Sequence, residues 1–195
     1  MLAAVALALL GAAFQPVNAQ TTAQPAHVFV RDSAAPAQTD PNGGGMHDAG
    51  IRPPSDNDSP SAQLTNAHGD PLKVSIADWR SATGDADFQP LMGGSGGVRV
   101  RASFHGLIPM GRYSLFIRQL AGRVGVVLTP VDIVGASNSF LADREGNGLI
   151  AVDSPNPIPS GAQLVLIYHS DGAEHQSSPG SLGVNAHEQL ITRVP

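Results

Sequence analysis

The densest group of chemistry-bearing side chains lies near the C-terminus. Tyr168-His169-Ser170-Asp171-Gly172-Ala173-Glu174-His175 is followed by His187-Glu188 at the head of a last apolar run. Neutral imidazole and carboxylate are donors that zinc, copper and nickel accept, so His169, Asp171, His175 and His187 form a candidate metal set. That set closes only if antiparallel strands bring His169 and His187 side by side. In the alternative arrangement the two histidines close strand ends through hydrogen bonds to loop backbone, organise residues 177–183, and hold no cofactor. His105, just before Gly106, fits either arrangement.

Two further patterns touch known chemistry. Gly93-Gly94-Ser95-Gly96-Gly97 matches the G-x-S-x-G pattern of hydrolase nucleophiles. That pattern works on a strand-to-helix elbow, which exposes the serine and stabilises the oxyanion. Here Val98-Arg99-Val100 follows, and it reads as a strand, so the match is compositional. Asp143-Arg144-Glu145-Gly146-Asn147-Gly148 places oxygens at alternate positions and a glycine sixth, like a calcium loop. A full EF-hand loop needs a bidentate Glu at its twelfth position, where Ser154 stands, so a hairpin turn is the simpler expectation.

The elements that must position these residues read as strands. Val98–Phe104 alternates, placing Val98, Val100, Ala102 and Phe104 on one face. Gly106–Gly111 breaks the pattern with glycine and proline, and residues 112–118 resume it with Tyr113, Leu115 and Ile117 inward. Short apolar runs follow at 124–128, 139–142 and 149–152, and the proline-rich stretch 154–161 must be a loop. Leu164–Tyr168 is apolar on both faces, as in the middle of a sandwich. Residues 187–194 make a final strand, with Leu190, Thr192 and Val194 facing one way. With 72–76 the count reaches about eight. Helical signal is confined to 75–82, capped by Ser75 and anchored by the single tryptophan, Trp79. The expected fold is all-β: an antiparallel Greek-key sandwich of about eight strands, with a disordered N-terminal segment.

The upstream third divides in two. Leu2–Phe14 is apolar and small, and Val17-Asn18-Ala19 offers a leader-cleavage site, so residues 1–19 are expected to be a signal peptide. Residues 20–68, dense in Pro, Asp, Ser and Gly, are expected to form a tether, with His27–Val30 able to add an edge strand. Residues 69–195 then form the domain. The expected location is secreted or periplasmic. No run after the leader is long enough to span a bilayer.

Composition narrows the chemistry. The net charge is −5 and the eleven basic residues are scattered, so nucleic acid is not an expected partner. Arg99, Arg101, Arg112, Arg118 and Arg123 would attract an anionic surface if they shared one sheet face. With no cysteine, disulfides, thiol catalysis and Cys-ligated zinc are excluded.

Gly106-Leu107-Ile108-Pro109-Met110-Gly111-Arg112-Tyr113 followed by a strand resembles the Gly-Leu-x-Pro-Gly turn of copper/zinc superoxide dismutase-like sandwiches. Leu164–Gly172, the glycine-rich loop and Gly183-Val184-Asn185-Ala186 before the last strand resemble the end of that fold. Phe140–Val152 is similar to a hairpin found in several secreted sandwiches. The resemblance covers about residues 97–194 and implies an eight-strand Greek key. The family's His-x-His copper ligands have no counterpart, because that stretch reads Ser114-Leu115-Phe116-Ile117-Arg118. No histidine occurs between His105 and His169, and only His169 falls at the place of the later copper ligand. The resemblance therefore implies the fold without the dismutase activity.

The resulting expectation is an exported, non-catalytic β-sandwich domain with a binding or structural role, its ligand and partners unknown. The alternative is a secreted metal-binding protein that holds zinc or copper through His169, Asp171, His175 and His187. A hydrolase would need a serine or carboxylate pair within reach of a base, and no such pair is evident in the sequence.

Overall fold

The computed structural model describes residues 59–195 except 67, 94–95 and 121–124, together with short strands at 27–28, 30–31, 38–39 and 51–52. The expected leader and Ser95 lie outside the described residues, as does most of the tether, although its last stretch, 59–66, is described and places Leu64 in the core. Among the described residues, fourteen strands and one short helix follow in chain order. They are β1 (His27–Val28), β2 (Val30–Arg31), β3 (Gln38–Thr39), β4 (Ile51–Arg52), β5 (Gln63–Thr65) and β6 (Pro71–Ser75), then α1 (Ile76–Arg80). After it come β7 (Thr83–Pro90), β8 (Val98–His105), β9 (Arg112–Leu120), β10 (Val126–Pro130), β11 (Ser139–Leu141), β12 (Gly148–Ser154), β13 (Gln163–His169) and β14 (Ala186–Arg193).

Two antiparallel sheets make the sandwich. One runs β1-β7-β8-β12 and the other β10-β9-β13-β14-β2, with β11 also paired to β9. The chain crosses between them after β8, after β11 and after β12. Those crossings place β12 beside β8 in one layer and β13 beside β9 in the other, the Greek-key arrangement. Residues 27–31 lend a two-residue edge to each sheet.

The alternating faces decide what is buried. Val100, Ala102 and Phe104 of β8 meet Tyr113, Leu115 and Ile117 of β9 and Leu164 and Leu166 of β13 between the layers. Phe140 stacks between Phe104 and Tyr113, with ring centroids 5.6 Å from each. β13 lies between β9 and β14, and Leu164, Val165, Leu166 and Ile167 are all buried, so both of its faces are covered. Its other face joins Phe116, Ala186 and Ile191 in a second small cluster.

Three details differ from the sequence expectation. The segment at 72–76 is no sandwich strand, because β6 pairs only with β5 in a separate two-stranded ribbon. That ribbon still contributes Leu64 and Val74 to the core. β7 escapes a hydropathy reading because of its eight residues only Ala86 is buried. The turn at Asp143–Gly146 does not close a hairpin: β11 pairs with β9 and β12 with β8, so the turn carries the chain from one layer to the other.

α1 closes one end of the sandwich. Ser75 accepts a hydrogen bond from the Asp78 N–H, and the Asp78 side chain accepts one from the Ser75 N–H, a reciprocal cap that starts the helix. Trp79 packs edge-on against Tyr168, 6.0 Å between centroids. Ser81 donates to the Gly106 carbonyl at 2.7 Å. Gly106 has φ +64° and its backbone lies against that of Ser81, so a side chain there would meet both penalties.

Candidate functional site

The end closed by α1 also gathers the sequence-derived candidates. β13 delivers His169 as its last residue, β14 begins at Ala186-His187, and β9 begins at Arg112. In register His169 faces Arg112 on one side and Ala186 on the other, while Tyr168 faces His187. Side chains alternate along a strand, so His169 and His187 leave sheet β10-β9-β13-β14-β2 on opposite faces. His169 shares the outer face with Arg112, Ser114, Val165 and Ile167. His187 shares the inner face with Tyr168, its ring 6.2 Å away.

Each imidazole is tied by a serine. His169 Nε2 and Ser114 Oγ are 2.6 Å apart, and His187 Nε2 and Ser170 Oγ are 3.0 Å apart. The alternative arrangement expected backbone partners at these positions, and hydroxyls stand there instead. His169 and His187 are 1% and 2% exposed. Burial holds both well below the ordinary imidazole value, at about 4, and the neighbouring His175 and His169 respectively add to the effect. Both rings are therefore neutral near pH 7.

The loop after β13 brings the remaining candidates to the outer face. His175 stacks obliquely on His169 with centroids 5.0 Å apart, and its Nε2 lies 2.9 Å from Asp171 Oδ2. Asp171 also accepts the Ala173 N–H at 3.0 Å and the Asn185 amide at 2.8 Å. Burial alone would raise Asp171, but these donors outweigh it and hold the carboxyl below its ordinary value. Gly135, φ +75°, presses against the Gln176–Ser177 backbone, so the loop carrying His175 rests on the β10–β11 connection. Asp132 fixes that connection by accepting the N–H groups of Gly135 and Ser137 at 2.8 and 2.7 Å.

The four candidates are thus brought to one end but not to one point. His169, His175 and Asp171 line the outer side, and His187 faces inward. Among the described residues no three His, Asp or Glu side chains stand close enough together to hold one metal ion. His105 lies apart, its Nδ1 2.8 Å from Asn147 Oδ1. Asp143 spends its carboxylate on the N–H groups of Glu145 and Asn147 and on the Asn147 amide, which makes a turn. The G-x-S-x-G segment falls partly outside the described residues, and the element that follows it is the strand β8, not a helix.

Sequence reasoning missed Ser114, and named Arg112 only among five arginines that would share a sheet face, not as a neighbour of His169. Ser114 and Arg112 sit 55 and 57 positions before His169, and only the β9–β13 register puts them beside it. The arginines also do not share one face: Arg99 and Arg101 lie on β8 in one layer, Arg112 and Arg118 on β9 in the other. Arg123 lies outside the described residues. Buried side-chain polar atoms without a hydrogen-bond partner among the described residues are Arg112 Nε, His169 Nδ1, His187 Nδ1 and Gln189 Oε1. All four belong to the neighbouring strands β9, β13 and β14. A scan against protein-family models and a search of curated proteins both give no match to this chain.

Proposed function

We propose that this chain is an exported, non-catalytic binding module whose ligand site is the histidine corner at the end of β9, β13 and β14. The carrying observation is the clustering of the four unpartnered buried polar atoms on those three strands. Native folds satisfy nearly all buried polar groups, because each one left unmade costs about 1–3 kcal/mol. His187 Nδ1 and Gln189 Oε1 lie on the inner side, where the Gln189 amide reaches the Trp79 carbonyl, so the outer pair, Arg112 Nε and His169 Nδ1 on facing residues at the loop-rimmed end, is the part a partner would meet.

Catalysis is not favoured by the same geometry. Ser114 and His169 form a serine–imidazole pair, but Ser114 is 2% exposed and no carboxylate partners His169 Nδ1. A nucleophile of this kind needs an open path and an oriented base. In the stretch where the dismutase-like family carries copper-binding histidines, Ser114 and Phe116 occupy the face shared with His169. That departure from the family's pattern leaves redox copper chemistry without its ligands there.

A second reading, zinc or copper held by His169, His175 and Asp171 with His187 behind, is favoured by the neutral imidazoles and their free Nδ1 atoms. It requires side-chain rotation to bring the donors to one point. Measuring bound metal in untagged protein and following the melting temperature during zinc and copper titration separates the readings. A ligand of the native state alone adds about 2.7 kcal/mol at a hundredfold excess over its dissociation constant. No metal and no shift removes the second reading. Expressing the full chain in a bacterial host and sequencing the N-terminus of exported product tests the leader, with cleavage after Ala19 expected.

A further inference from the structure

We propose that Arg112 anchors a small oxyanion, a carboxylate or a phosphate, at the outer side of this corner, an inference that rests on the corner being a binding site. Two other strand arginines are already matched. Arg99 makes two bonds to Asp153 at 2.6 and 2.7 Å, and Arg118 reaches Glu188 at 2.7 Å and Gln163 at 2.8 Å. Arg112 is half-buried, its Nε is sealed from solvent without a partner, and no carboxylate pairs with it among the described residues.

The surroundings supply no anion of their own. Arg112 faces His169 across the ladder, Leu141 lies on its other side, and Ser114 follows two residues along the same face. The acid of this corner, Asp171, is already engaged by Ala173, His175 and Asn185. A guanidinium taken part-way out of water beside uncharged imidazoles lacks a counter-charge, and its planar fork matches a carboxylate or phosphate edge. The partly exposed His175, 5.0 Å from His169, marks the side from which solvent ions arrive.

The test uses the full chain with inorganic phosphate and with acetate, each against sodium chloride of matched ionic strength, since chloride screening alone shifts exposed charges. A saturable rise in melting temperature beyond the chloride control is expected. Arg112→Gln should weaken the dissociation constant roughly tenfold or more, a loss of about 1.4 kcal/mol. Arg112→Lys should weaken it less, because the charge stays and the fork is lost. A response to phosphate alone or to acetate alone identifies the source chemistry. Identical behaviour in chloride overturns the inference, as does undiminished affinity in Arg112→Gln, or in Arg112→Lys if the glutamine variant fails to fold. If anions fail while zinc still moves the His169 Nδ1 resonance, this inference falls and the metal reading of the corner is the one supported. If both fail, the binding reading falls with it.

Discussion

Ser114 and His169, 55 residues apart in the chain, meet at 2.6 Å on the outer face of adjacent strands, and that bond leaves His169 Nδ1 as a buried atom without a partner. The pair fixes the ring and decides which nitrogen is left over. Everything distinctive about this end of the molecule follows from that division of labour.

Ser114→Ala removes the ring's one hydrogen bond among the described residues and leaves the imidazole dry on both nitrogens. A loss of about 1–3 kcal/mol is expected in urea unfolding, with the denaturant slope unchanged. The double substitution Ser114→Ala with His169→Phe replaces both partners by apolar groups. It should recover most of that loss or exceed wild-type stability.

Acid should destabilise the fold. His169 and His187 titrate at about 4 when folded, against an ordinary 6.5. The unfolded chain takes up protons first, so stability is full above the unfolded value and declines as pH falls from about 6.5 toward 4. The loss is on the order of 3 kcal/mol per imidazole. Urea midpoints across that range measure it, and the Ser114→Ala, His169→Phe protein should show a slope close to half.

Much of the scaffold is legible in the sequence because a period of two survives in β8 and β9, and because β13 is apolar throughout. The cap of α1 and the burial of Trp79 are legible for an equally local reason. β7 is not, since one buried alanine in eight residues carries no period, and its place is set by pairing with β8. The site is half legible. His169, Asp171, His175 and His187 announce themselves by type, but the opposite faces of His169 and His187 depend on register. Arg112 and Ser114 carry no signal until β9 is laid beside β13.

Gly135→Ala should disturb the corner from a distance. The new methyl overlaps the Gln176–Ser177 backbone at a positive φ, so the loop carrying His175 must lift. Faster hydrogen exchange at the Ala173 and Ser178 amides is expected, with little change in the β8–β12 ladder. Asp171→Ala should produce the same exchange pattern by removing the Ala173, His175 and Asn185 contacts.

Trp79→Ala opens the sandwich end that α1 closes. Trp79 is 2% exposed, and its carbonyl accepts the Gln189 amide at 3.0 Å. A cost of about 3–5 kcal/mol is expected from chemical denaturation. Ser75→Ala, which removes only the helix cap, should cost about 1 kcal/mol.

The central claim is that the unpartnered imidazole nitrogens at this end receive a ligand. Long-range proton–nitrogen spectra of the histidine rings, recorded during titration with zinc and separately with phosphate, read those atoms directly. The account predicts that the Nδ1 resonance of His169, with or without that of His187, moves saturably with at least one probe while His105 stays in place. Unchanged Nδ1 resonances for both rings in both titrations would contradict it.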